Sequence, residues 1–432
     1  MIGKPIQYHS LSQAEADEIC RKHDFLMSGR MGGARANFSY KVLKGLNLSG
    51  RNLADADFSG AILEGADLSG TNLTRAVLFA VDLRRARLAG AVLHRADMRG
   101  AILRGADLTG ADLSQADLRE GAIAQVDREK GLAVITHEQR PGEASQASFK
   151  RANLSRTKMS GAVAQSSDFS DAVLIGARLT RANLRSSRFP GANLEGADLC
   201  GADLTDADLR DTVMVGVKMD MAQTQGADMS GALRDAPPAE IADPGGETAK
   251  ALDMHARWCE TGGAEGAPST FDGKDLRGLE TLARRNLTAL QARGAVFYGL
   301  DMEGAELQGA KLADADLRMV SLRGADLRGA DLKGARLNNA DLREAKLGPL
   351  ILPGDRLLAA SIAAACLRYA DLSAADLRHI EAAGADLSFA RLHGADVRRA
   401  AFAGACFTGA GLPRDLTDVA ADLSGAVDLN AA

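Results

Sequence analysis

Large apolar side chains recur every five residues through most of this chain of 432 residues. Phe38, Leu43, Leu48, Leu53, Phe58, Leu63 and Leu68 are each five apart, and the phase holds without a slip through Leu118 and Ile123. A second run, in a new phase, extends from Phe149 to Met229, and a third from Leu287 to Leu412. A period of five fits neither the roughly 3.6-residue turn of an α-helix nor the alternation of a flat strand. It fits a chain that turns a corner every few residues and shows one large apolar side chain inward per step.

The repeat reads A-(D/N)-L-x-x and often closes on Gly, as in ADFSG-AILEG-ADLSG at 56–70. The Ala two positions before the central residue must also point inward, where only a small group fits. The Asp or Asn before the central residue and the two residues after it face out or form the corner, where Gly supplies a positive φ. Four sides make a coil of twenty residues, so Leu48, Leu68, Leu88 and Leu108 stack in one column. Coils then sit about 4.8 Å apart, joined by backbone hydrogen bonds. The expected fold class is all-β, a right-handed quadrilateral β-solenoid. In it Leu327 is buried, and Asp326 is exposed and tolerant of Ser.

These repeats resemble the pentapeptide-repeat family over about seven tenths of the chain. The resemblance implies a right-handed quadrilateral β-helix. Some members protect DNA gyrase from quinolones through an acidic, DNA-like surface, so it also implies a gyrase- or topoisomerase-binding DNA mimic as an alternative function. Ala164, Thr224, Ala292 and Ala382 occupy central positions and depart from the pattern. They predict loosely packed or interrupted coils.

The organisation is that of a duplication. Residues 1–37 form an N-terminal segment in which Ser12 and Glu15 make a capping box and open a helix through about Leu26. Solenoid follows at 38–123, an insert at 124–148 and solenoid again at 149–234. A Pro/Gly-rich linker with a second helix, Glu247 to Glu260, occupies 235–270. It leads into solenoid at 271–412 and a C-terminal tail or cap at 413–432. His23 lies 15 residues before Phe38 and His255 lies 16 before Phe271. Helix, Gly-rich turn and solenoid therefore appear twice, as two stacked or linked units, each preceded by a short capping α-helix. Within the insert, Asp127 to Gly131 reads as the turn of a hairpin.

Chemistry is hard to find. Aromatics are 4 % with one Trp, which argues against a conventional multidomain enzyme. The seven His have no metal-ligand partner at helical or strand spacing, no Ser-His-Asp set can be assembled, and no phosphate-binding GxxxxGK[ST] occurs. The expectation is no enzyme, no catalytic residue, no cofactor and no metal. No apolar run reaches the length of a membrane span and the N-terminus lacks a secretory h-region. The five scattered Cys read as reduced thiols, and the expected compartment is the cytoplasm.

Charge is balanced along each wall. Residues 38–123 carry 11 basic and 10 acidic side chains, 149–234 the same, and 271–412 carry 19 and 18. Asp alternates with Arg, as in RGADLRGADL at 323–332, so no continuous acidic or basic face is expected. Direct nucleic-acid binding and membrane contact are not expected. The expected partner is another protein, through a scaffold or regulatory role, with self-association as a further outcome. A third expectation is an accessory domain of an enzyme. Residues 347–367 hold only two charges, Asp355 and Arg356, and their outward positions turn apolar. With Leu352, Leu357 and Ile362 inward, Ile351, Pro353, Leu358 and Ala359 become the candidate contact residues. Arg128, Glu129 and Lys130, at the tip of the expected hairpin, are the other candidates.

Overall fold

The structure is a computed structural model that describes residues 8–122, 139–234, 246–279 and 281–429. It divides into two compact units, residues 1–235 and 236–432. Each is a β-helix solenoid. Asn47 bridges Asp67, and Asp67 bridges Arg87, each in parallel and twenty residues apart. Four such columns run along each unit, so a coil has four sides. Each side contributes a single bridging residue where longer strands would give a sheet, because a corner follows every third residue.

One repeat shows why the sequence needs its residue types. Around Leu68, the Ala66 N–H closes the preceding turn on Leu63 O (2.9 Å). The Asp67 N–H donates to Leu46 O on the coil before (2.9 Å), and the Leu68 N–H to Arg87 O on the coil after (2.7 Å). The Gly70 N–H donates to Ala89 O (2.8 Å). The remaining donor, Ser69 N–H, points into the corner, and Asp67 Oδ1 accepts it at 3.0 Å. All five backbone donors are thereby satisfied. The Asp or Asn before each central residue is thus a structural acceptor, the role an Asx turn gives it. The last corner residue has positive φ whether it is Gly70 (63°) or Arg75 (57°).

The inward set is dry. Leu48, Leu88 and Leu327 are fully buried, as are the small residues Ala66, Ala86 and Ala325. Where a polar residue replaces the small Ala, its hydroxyl finds a carbonyl: Thr71 Oγ1 donates to Leu48 O (2.9 Å) and Ser167 Oγ to Ala144 O (2.6 Å). Phe149, Phe169 and Phe189 form one column of parallel rings 4.8 and 4.7 Å apart, which is the coil spacing. The interruptions expected at Ala164, Ala292 and Ala382 do not occur. All three are buried in unbroken coils, since neighbouring columns hold the backbone spacing.

Two boundaries differ from the sequence phase. The first unit resumes at Glu143, which bridges Ile102, so 143–148 belongs to the solenoid. Its central residue is Ala144, too small to register in a search for large apolar side chains. At the other end, Asp422 and Val427 bridge Ala401 and Cys406, so a coil continues past the expected end at residue 412.

Helix α1 (Gln13–Met27) begins at the expected capping box: the Ser12 N–H donates to Glu15 Oε2 (2.8 Å) and the Glu15 N–H to Ser12 Oγ (3.3 Å). It lies against the first coil. There, Gln13 Nε2 donates to Asn47 O (2.8 Å) and the Asn47 N–H donates to Gln13 Oε1 (2.9 Å), as a neighbouring coil would. Strand β1 (His9–Ser10) pairs in parallel with β2 (Lys41–Val42) of the same coil. His23 is buried, and its Nδ1 accepts the Ala36 N–H at 3.1 Å. The order recurs in the second unit. Helix α2 (Glu247–Glu260) buries Leu252 and His255, and His255 Nδ1 accepts the Ser269 N–H at 3.0 Å. Ala36 and Ser269 each stand two residues ahead of the first core Phe.

Candidate protein-docking surface

From Asn286 onward the bridges of the second unit step by twenty residues until Asp331, whose partner is Ser361, thirty residues on. Ten extra residues leave the wall here. Ten is twice five, so the central phase returns at Ile362 and the departure is hidden from a periodicity count. The extra chain is an antiparallel hairpin, β3 (Leu350–Leu352) with β4 (Arg356–Leu358), turning through Pro353, Gly354 and Asp355.

Strand alternation then decides which side chains face the wall. Leu350 and Leu358 are cross-strand partners on one face. A methyl group added at Gly329 would stand 3.0 Å from Leu350 Cβ and from Leu358 Cδ2, so this face lies directly on the Gly329 corner. Ile351 and Leu357, the next cross-strand pair, occupy the opposite face and are 69 % and 55 % exposed. The assignment of Leu357 to the core is therefore corrected: hairpin alternation has replaced the five-residue phase. Of the expected contact residues, Ile351 and Pro353 are exposed, whereas Leu358 and Ala359 are half-buried. Leu352, expected inward, is half-buried as well. Pro-Gly-Asp between LIL and RLL is the local turn signal that would have exposed the hairpin.

The other insert also leaves its wall as antiparallel chain: Gly121–Ala122 pairs with Gln139–Arg140. Arg128, Glu129 and Lys130, with the expected turn at 127–131, lie outside the described residues.

The outer walls carry paired charge. In each Asp-Leu-Arg the two ionic side chains meet across the corner: Arg378 Nε and Nη2 lie 2.8 Å from Asp376 Oδ1 and Oδ2. The same fork joins Asp97 to Arg99, Asp117 to Arg119 and Asp341 to Arg343. The Arg378 guanidinium holds the Asp376 carboxyl below the usual carboxylate range, and Arg398 does the same for Asp396. Asp326 corrects another expectation. It is only 9 % exposed and accepts from the Arg328 backbone N–H, the Arg328 guanidinium and Gln308 Nε2 (3.0 Å). Asp326→Ser keeps an acceptor for the backbone donor but strands the guanidinium and the amide. Denaturant unfolding is expected to show a loss of about 1–2 kcal/mol, and a neutral result would place Asp326 outside the network.

Among the described residues no group of His, Cys, Asp and Glu is arranged to hold a metal ion. No described helix is long and apolar enough to cross a membrane. An open cleft of about 530 Å³ is lined by Arg99, Arg119, Glu120, Ser160, Gly161 and Arg181, and two of its arginines are already held by Asp97 and Asp117.

The family model described as pentapeptide repeats matches residues 35–78, 81–119, 147–232, 286–348 and 370–409, more than half of the chain. Among solved structures, the chain is similar to QnrB1, a plasmid-mediated fluoroquinolone resistance protein, here in a trypsin-treated variant. That match has 20 % identity over 48 % of this chain and 89 % of that one, with a TM-score of 0.23. It is also similar to HetL of the cyanobacterium Nostoc sp. strain PCC 7120, a pentapeptide-repeat protein involved in regulating heterocyst differentiation. That match has 22 % identity over 94 % of this chain and 97 % of that one, with a TM-score of 0.17. Rfr23 of the cyanobacterium Cyanothece 51142 matches at 24 % identity over 30 % of this chain and 91 % of that one, with a TM-score of 0.14. No curated protein sequence matches the chain.

Proposed function

The chain belongs to the pentapeptide-repeat family, and from that premise we propose that it is a non-enzymatic cytoplasmic scaffold or regulator that docks another protein. In this proposal α1 and α2 cap the ends of right-handed solenoids, and the hairpin at Leu350–Leu358 is the docking element. The observation that carries it is the exposed Ile351–Leu357 pair on a hairpin whose other face is already seated on the wall. Two large aliphatic side chains held side by side in water are a ready anchor for an apolar pocket. Corner Asp residues are engaged by backbone donors and guanidinium forks. That supports protein docking over the alternative of an acidic DNA mimic binding gyrase or topoisomerase.

The test replaces both anchors. Ile351→Lys with Leu357→Lys leaves Leu350, Leu358 and Gly329 in place, so the melting temperature is expected to stay near that of the parent. A photo-crosslinking residue at Pro353 should capture one specific protein from host extract, or a second copy of the chain. The double variant should lose that product at least about tenfold, as truncation of buried anchors does. Equal capture by parent and variant rejects the hairpin as the docking element. A large fall in melting temperature shows instead that the pair is core.

A further inference from the structure

The latch between α2 and its coil depends on an unprotonated ring nitrogen. His255 is fully buried. Its Nδ1 accepts the Ser269 N–H at 3.0 Å, so the ring proton sits on Nε2, which donates to Thr288 O at 3.1 Å. Both partners are backbone groups of the chain that α2 covers. Of the charged groups on and after α2, Asp253 is paired with Arg285 at 2.7 Å, and Arg257, Glu260 and Glu265 are exposed. Cys259 Sγ shares the Thr288 carbonyl at 3.4 Å, and burial first, then the charges of Glu306 and Glu260, push that thiol up. No described carboxylate contacts the imidazole; burial disfavours an imidazolium, and only the Thr288 carbonyl, at Nε2, works the other way.

We propose that α2 is an acid-released latch: protonation of His255 Nδ1 turns an acceptor into a donor facing the Ser269 N–H, and the helix leaves the coil. What it uncovers is apolar, because Leu252 of α2 belongs to the same buried cluster as Phe271, Leu276 and Leu282 of the first coils. Acid would thus expose the end of the second unit's core while the later coils keep their hydrogen bonds. The same use of Nδ1 at His23, accepting from Ala36, shows that a histidine acceptor is how this chain fixes a helix on a first coil.

The direction follows from linkage. Burial lowers the His255 value below the ordinary histidine value of about 6.5. The docking stability is therefore complete above that ordinary value and is lost as pH falls through the lowered one. This proposal is independent of the hairpin.

The full chain carries its own reporter. Trp258, the one Trp, sits on α2 with its ring 5.8 Å from that of His255. Titrating from pH 8 to 4 should give a reversible red shift of emission with a midpoint below about 6.5, with the far-ultraviolet dichroism retained. His255→Asn keeps a side-chain acceptor that does not titrate, and should abolish the step. The same step in both proteins, or no step in the parent, overturns the proposal. If the variant helix fails to dock at any pH, hydrogen exchange of the parent decides. Loss of Ser269 amide protection on acidification, with Leu312 still protected, supports release. Retained protection at Ser269 rejects it.

Discussion

Leu327→Arg is expected to unfold coils of the second unit. Leu327 is fully buried, and so are Leu307 and Leu347, the residues above and below it in its column. No polar side chain shares that interior column, so the guanidinium would enter without a partner. An uncompensated buried charge costs at least about 4 kcal/mol, against a typical domain stability of about 5–15 kcal/mol. Because each coil contacts only its neighbours, the damage should spread from coil to coil along the second unit. Hydrogen exchange should show amides of residues 287–347 losing protection while those of the first unit keep it. Lys333, exposed on the wall nearby, should tolerate Ala within about 0.5 kcal/mol. Equal effects of the two substitutions would sink the inward and outward assignment.

Phe169→Ala is expected to be the most damaging truncation in the first unit. Phe169 stands between Phe149 and Phe189 with its ring nearly parallel to both, at 4° and 3°. Truncation removes two stacking contacts and opens a cavity that flanking coils cannot close, because their spacing is fixed by the backbone ladder on every side. The expected loss is about 3–5 kcal/mol in denaturant unfolding. Phe38 has one ring neighbour, Phe58, at 4.8 Å, so its truncation should cost less. Phe169→Leu should recover most of the loss, since Leu fills the other columns. A change below about 1 kcal/mol for Phe169→Ala would show that the ladder adds little to the core.

Residue types at fixed spacing carried most of this fold. Leu48 and Leu68 could be assigned to one column because a twenty-residue coil leaves no freedom in where the next central residue lands. The capping box at Ser12, the second helix at Glu247–Glu260 and the alternation of Asp with Arg were legible for the same reason: each is settled by residues within a few positions of one another. Even the repeated histidine was visible, 15 residues before Phe38 and 16 before Phe271.

What the spacing could not carry is anything decided between coils or between a hairpin and its wall. Asp67 looked like a solvated charge, and only the closed corner shows that Ser69 N–H has no other acceptor. Asp326 looked exposed until Arg328 and Gln308 folded over it. Ala144 hid a whole side of a coil because a small central residue gives no apolar signal. The hairpin at Leu350–Leu358 was concealed by its own length, since ten added residues restore a five-residue phase. Local periodicity therefore determined the solenoid, its columns and its helices. Tertiary contact alone decided that Leu357 faces water and Leu358 the wall, because the side a strand turns inward is set by what it lands on.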